Sequence, residues 1–151
     1  AGGGTVLYDA VYLASDDLMK PLEGRKALIL LTDGDDHGSR ESLEDAIEAA
    51  QRADTLVYSI FFTGEEPLGS DGKKVLQRMS LDTGGGYFEV SKRRGIDAIY
   101  TQLEQELRSQ YSIGYTSDMN SQGAAYHPIQ LKTRDRNLVV QCRAGYYTVA
   151  R

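Results

Sequence analysis

Leu28-Ile29-Leu30-Leu31-Thr32-Asp33-Gly34-Asp35-Asp36 carries an apolar run straight into a cluster of carboxylates. The run over residues 27–31 is too short for a typical helix and is bounded by Gly24 and Gly34, so it reads as a strand buried on both faces. A strand of that kind belongs to a parallel sheet. Acidic groups delivered to the carboxyl end of such a strand in an open α/β sheet sit where ligands and metal ions are commonly bound.

The flanking sequence supports that reading on both sides. Leu7, Val11, Ala14 and Leu18 recur at helical spacing over residues 5–19, and Pro21 ends the segment. A second helix is expected from a cap at Ser39 or Ser42 to about Ala53, with Leu43, Ala46, Ile47 and Ala50 on one side. Residues 55–63 are dense in β-branched and aromatic side chains and predict a second buried strand, followed by a polar loop over 64–72. Val75, Leu76 and Met79 mark a third helix, which Gly84-Gly85-Gly86 ends. A strand over 87–90 and a helix through Ile96, Ile99, Leu103 and Leu107 complete the series. Helix and strand alternate throughout, the signature of a mainly parallel, Rossmann-like sheet with helices on both faces.

From Gln110 the pattern changes to alternation of period two. Tyr111, Ile113 and Tyr115 form one set, Ile129, Leu131 and Thr133 a second, and Leu138, Val140 and Cys142 a third. Polar stretches over 118–121 and 134–137 separate them as turns, so antiparallel strands with one exposed face are expected.

At 151 residues with 40% hydrophobic content, the chain suits one sizeable core. Its 22 acidic and 17 basic residues give a net charge of -5, which argues against a grip on nucleic acid, and Lys92-Arg93-Arg94 reads as a solvated turn. No stretch approaches the length of an apolar membrane span, so no membrane insertion by this chain is expected. Cys142 is the sole cysteine, and no Cys/His set has zinc-ligand spacing.

Four pieces in order carry a family resemblance: Gly3-Gly4-Thr5 opening a helix, the strand ending Leu31-Thr32-Asp33-Gly34, the Val57-Tyr58-Ser59-Ile60 strand, and Leu81-Asp82-Thr83-Gly84-Gly85-Gly86-Tyr87-Phe88. In these the sequence resembles the carboxy-terminal two-thirds of the von Willebrand factor A domain. The closing segments, Gln110-Tyr111-Ser112-Ile113-Gly114-Tyr115 and Arg143-Ala144-Gly145-Tyr146-Tyr147, look like the acidobacterial subgroup of that family. The resemblance implies a partial α/β region over residues 1–110 and an antiparallel β extension over 111–151 packed on the same domain.

It also implies a non-enzymatic, adhesion-type module whose complete form uses Mg2+ or another divalent cation to engage a protein ligand. The family's metal-ion-dependent adhesion site draws on an Asp-x-Ser-x-Ser loop, a threonine loop and an aspartate loop. Matched motif to motif, Thr5 resembles the threonine and Asp33 the aspartate; hydroxyl and carboxylate oxygens suit a hard cation. Asp35 and Asp36 either supplement these donors or stabilise a helix start. Asp-x-Ser-x-Ser does not occur in this sequence, so the expectation is a domain truncated on its amino-terminal side, with an incomplete site and no metal held by this chain alone. An extracytoplasmic setting, whether secreted, periplasmic or surface, follows from the same resemblance.

In the family, the first strand lies beside the strand that residues 27–31 resemble. Without it that strand has an open apolar edge, and a homodimer through the edge is expected. Two other functions compete. Asp33-Gly34-Asp35 has the Asp-x-Asp of a metal-dependent phosphatase of the haloacid dehalogenase type, with Asp33 as nucleophile and Asp35 as acid/base, although Asp36-His37 replaces the expected Gly-Thr continuation. Alternatively, the tail from Gln110 serves as a structural assembly surface without metal.

Overall fold

The computed structural model describes residues 4–62, 70–116 and 125–148. Strands β1 (Lys26–Thr32), β2 (Thr55–Phe61) and β3 (Tyr87–Glu89) form one parallel sheet in the order β1-β2-β3. Around it lie helices α1 (Leu7–Leu13), α2 (Leu43–Arg52), α3 (Ser70–Thr83) and α4 (Ile96–Arg108). The expected α/β alternation is therefore present. Strands β4 (Tyr126–Pro128) and β5 (Gly145–Tyr147) make a separate antiparallel pair.

β2 anchors the core. Its neighbours run parallel on both sides, with Lys26 opposite Thr55 and Ser59 opposite Tyr87. Side chains alternate between the two faces of a strand. Val57 enters a cluster with Leu7 and Val11 of α1, Ala46, Ile47 and Ala50 of α2, and Leu76 and Met79 of α3. Tyr58 and Ile60 enter the opposite cluster with Phe88 of β3 and Ile99 and Leu103 of α4. Three helices thus pack on one face and α4 on the other.

That unequal cover decides the state of β1. Leu28 and Leu30 pack against the three-helix cluster, while Ile29 and Leu31 on the other face are 45% and 54% exposed. Among the described residues β1 has the open edge expected for it, but one of the two faces expected to be buried is half open. Its physical cause is that α4 covers β2 and β3 and meets β1 only near Ala27.

Two helix boundaries also differ from expectation. The helix over 5–19 begins at Leu7 and widens after Leu13 into a π-helical turn over Ala14–Met19, where the Lys20 N–H donates to Ser15 O at 2.9 Å. α3 starts at Ser70, inside the stretch read as a polar loop; Thr63 and the rest of that loop lie outside the described residues. Its first turn can approach the β1 end because two glycines face each other. A Cβ on Gly34 would stand 2.3 Å from Gly72 O, and Gly34 has φ of 80°.

The tail corrects the strand positions. The segments around Tyr111, Ile129 and Leu138 form no strands among the described residues, and pairing occurs instead at Tyr126–Pro128 and Gly145–Tyr147. The return segment is held by the α/β body. Ala144 N–H donates to Asp82 O at 3.1 Å, Gln141 Nε2 to Gly84 O at 3.1 Å, and Arg143 pairs with Asp54 at 2.6 Å. Turn expectations over 118–121 lie outside the described residues, while 91–94 is an exposed turn closed by the Ser91–Arg94 bridge.

β3 is too short to pair with all of β2, and Thr83 replaces part of it. Ser59 N–H donates to Gly86 O at 2.9 Å, whereas Val57 N–H donates to the Thr83 hydroxyl at 3.0 Å. The Thr83 hydroxyl donates in turn to Met79 O at 2.8 Å, all of it buried. Replacing Thr83 by valine keeps the volume but leaves a buried N–H without an acceptor. Thr83→Val is expected to lower stability by about 1–3 kcal/mol in urea unfolding, with an unchanged denaturant slope.

Candidate functional site

The acidic loop leaves the carboxyl end of β1 and folds back on itself before turning to α1. Asp35 N–H donates to Asp33 Oδ1 at 3.2 Å, and Gly34 N–H donates to the Thr32 hydroxyl at 3.2 Å. These local bonds turn the Asp33 carboxylate toward its own backbone through Oδ1. Oδ2 takes no part in them.

Asp36 has a different occupation. Its Oδ1 accepts the Tyr8 N–H at 3.0 Å and the Ser39 hydroxyl at 2.6 Å, and its Oδ2 accepts the Ser39 N–H at 3.2 Å. The first turn of α1 has orphan N–H groups, and its N-cap Val6 offers no side-chain acceptor. A carboxylate from a distant loop takes over the cap. The Ser39 hydroxyl likewise accepts the Asp9 N–H at 3.2 Å, and Asp9 Oδ1 accepts the N–H groups of Arg40 and Glu41 at 2.8 and 2.9 Å. Loop and helix start are therefore joined by bonds running in both directions.

Electrostatics follow this geometry. Desolvation pushes the Asp36 carboxyl upward, but hydrogen bonds from the Ser39 hydroxyl and the N–H groups of Tyr8, Ser39 and Leu7 outweigh it and hold the group below its ordinary range. Burial raises the Tyr8 hydroxyl, and the charges of Asp36, Glu44 and Asp35 raise it further.

Thr5 comes to the same loop through its backbone: its carbonyl accepts the His37 N–H at 2.8 Å. Its hydroxyl does not cap α1. Gly4 lies against the His37 ring, whose Cβ would stand 2.2 Å from an added methyl on Gly4. The structure thus brings Thr5, Asp33, Asp35 and Asp36 to one end of β1 but gives Asp36 to the helix. Asp9 and Ser39 complete the joint and were not singled out in the sequence as parts of it, because their partners lie about thirty residues away. Ser42, the other candidate cap, forms a reciprocal capping box with Asp45 at the start of α2.

Among the described residues, no three His, Cys, Asp or Glu side chains gather closely enough to hold a metal ion. Thr5 and Asp33 offer oxygen donors of a kind that suits a hard divalent cation, yet two donors do not close a coordination sphere. His127, on β4, is buried and stacked on Tyr146 with ring centroids 5.1 Å apart. A hollow of about 460 Å³ lies along α4 beside Gln102 and Glu106 and includes no residue of the acidic loop.

Because the Asp36 carboxyl is depressed in the folded state, its contribution is present above the ordinary carboxylate range and is lost as pH falls through the depressed value. Asp36→Ala is expected to cost about 0.5–2 kcal/mol at neutral pH, as for other lost helix caps. In thermal unfolding followed from pH 7 downward, the gap between wild type and mutant should narrow below about pH 4. A gap independent of pH would contradict the cap's charged character.

A parallel sheet with helices on both faces is consistent with a family model that matches the chain. That model, for the von Willebrand factor type A domain, matches residues 1–102. No curated protein matches the chain. Proteins of this family generally serve as interaction modules, and many bind divalent cations. With its α/β region matched almost throughout, the chain belongs to the von Willebrand factor type A domain family.

Proposed function

We propose that the chain is a non-enzymatic protein-binding module that meets its ligand at the carboxyl end of β1, where Thr5 and Asp33 contribute two oxygen donors to a divalent cation such as Mg2+. The observation that carries this reading is the 2.8 Å bond from His37 N–H to Thr5 O, which ties the threonine segment to the aspartate loop. The Thr5 hydroxyl is not used as a helix cap, and Asp33 Oδ2 is not used in the loop's own turn. Asp36 is committed to α1 and is not counted among the donors. When bound, the cation would supply an electrophilic centre for a ligand carboxylate. Asp35 is the weaker donor candidate, with Gly72 packed against its carboxylate. Family membership favours an extracytoplasmic setting and gives no support to phosphoryl transfer by Asp33 and Asp35.

Calorimetric titration with Mn2+ tests the donors. Asp33→Ala and Thr5→Ala should each weaken Mn2+ binding by about tenfold or more. Unchanged affinity in both variants would overturn the assignment.

A second reading rests on the exposed face of β1. The strand has an unpaired edge among the described residues, and Ile29 and Leu31 stand 45% and 54% exposed beside it. We propose that a second copy of the chain adds its own β1 there in antiparallel fashion. Centred on Ile29, that pairing sets Lys26 opposite Thr32 and brings no like charges together. Light scattering should show dimers that grow with concentration and disappear in Ile29→Lys. A monodisperse monomer at high concentration would rule the pairing out.

A further inference from the structure

Strands β4 and β5 pair Tyr126 with Tyr147, His127 with Tyr146 and Pro128 with Gly145. The same register extends beyond both strand ends. Thr148 N–H donates to Ala125 O at 3.0 Å, and Ile129 N–H donates to Ala144 O at 2.8 Å. Beyond that last bond no backbone hydrogen bond joins the two arms. They meet again at a turn, where Leu138 N–H donates to Asp135 O at 3.3 Å and the Asp135 carboxylate accepts the Asn137 N–H at 2.9 Å.

The turn stands where the β4–β5 register, carried forward, would end. Stepping outward from Ile129 and Ala144, the register sets Leu131 opposite Cys142, Thr133 opposite Val140 and Asp135 opposite Leu138. Hydrogen-bonded pairs alternate with non-hydrogen-bonded ones along an antiparallel ladder. Ala125–Thr148, Ile129–Ala144 and Asp135–Leu138 all fall on the bonded positions of one ladder. The apolar alternation agrees as well, because Ile129 and Leu131 share a face with Cys142 and Val140 in this register and no other one-residue shift preserves that match. Both ends of a hairpin are in place, and its middle lacks the ladder bonds.

A specific competitor accounts for the gap. The register assigns the Ala144 N–H to Ile129 O, but that N–H donates to Asp82 O, while Gln141 bonds Gly84 O and Arg143 pairs with Asp54. The return arm is drawn onto the α3–β3 turn and away from its partner.

We propose that residues 129–144 are a hinged β-arm with two states. In one, the arm is docked on the α3–β3 turn with its middle open. In the other, the Ala144 N–H passes from Asp82 to Ile129 and the hairpin closes through Leu131–Cys142 and Thr133–Val140. Closing gathers Ile129, Leu131, Val140 and Cys142 into one apolar face continuous with the stacked His127 and Tyr146. The arm's state is thereby coupled to the end of the α/β sheet opposite the acidic loop.

The test uses the whole chain. In proton NMR the closed state gives Hα–Hα contacts between Lys132 and Gln141 and between Gln130 and Arg143, the close non-hydrogen-bonded pairs. Asp54→Asn removes the Arg143 ion pair and should slow amide exchange at Leu131, Thr133, Val140 and Cys142 by about threefold or more as the closed state gains population. In Leu131→Cys, oxidised glutathione should drive an intrachain disulfide to Cys142 about tenfold faster than in Lys132→Cys, whose thiol lies on the other face. Absence of the Hα contacts in both wild type and Asp54→Asn, or equal disulfide rates in the two cysteine variants, would overturn the proposal.

Discussion

The burial of β2 is the constraint on which the rest of the structure depends. Val57, Ser59 and Ile60 are fully covered and Tyr58 nearly so, which obliges the sheet to carry neighbours on both edges and helices on both faces. Parallel neighbours cannot be joined by tight turns, so each crossover must supply a helix, and those helices are the cover. Ser59, Ser80 and Thr83 are polar groups drawn into this core and paired there. The Ser59 and Ser80 hydroxyls meet at 2.9 Å, and Thr83 serves the Val57 N–H where β3 does not reach. Each fully buried apolar side chain on β2 stabilises the fold by about 1.5–3 kcal/mol, enough to fix strand order and leave the margins to lesser forces.

Those margins hold the acidic loop and the open strand. The acidic loop begins as the continuation of β1 and divides into two parts with different duties. Asp36 and Ser39, with Asp9 from α1, form the joint that fastens the helix start to the sheet. Asp33 stays at the strand end with only local bonds, and the Thr5 segment is tied to the same loop at His37. A row of carboxylates is thus less uniform than it looks: Asp36 and Asp9 are hydrogen-bonded across the loop–helix joint, and Asp33 only within its own turn.

Unequal helix cover produces a second margin. Three helices saturate one face of the sheet, and α4 saturates the other only over β2 and β3, leaving Ile29 and Leu31 half exposed. The tail meets the opposite end of the sheet through Asp54, Asp82 and Gly84. Arg52 lies over the Tyr147 ring at 4.5 Å, so α2 also takes part in holding β5. The carboxyl end of the sheet carries the acidic loop, and the amino end carries the tail.

Hydrophobic period and turn residues determined the α/β alternation, the three parallel strands, the four helices and the place of Asp33, since each of those signals is local and every element needs it to form. The same local patterns expected strands at Leu131 and Val140 and a fully buried β1, and there tertiary structure decided otherwise. Alternation shows which residues can share a face, but pairing depends on which backbone groups are already engaged, as Ala144 is with Asp82. An apolar run shows that burial is favourable, but its extent depends on how far a helix from elsewhere reaches. The division between Asp33 and Asp36 was likewise beyond the sequence, because the N–H groups that claim Asp36 belong to a helix nearly thirty residues away.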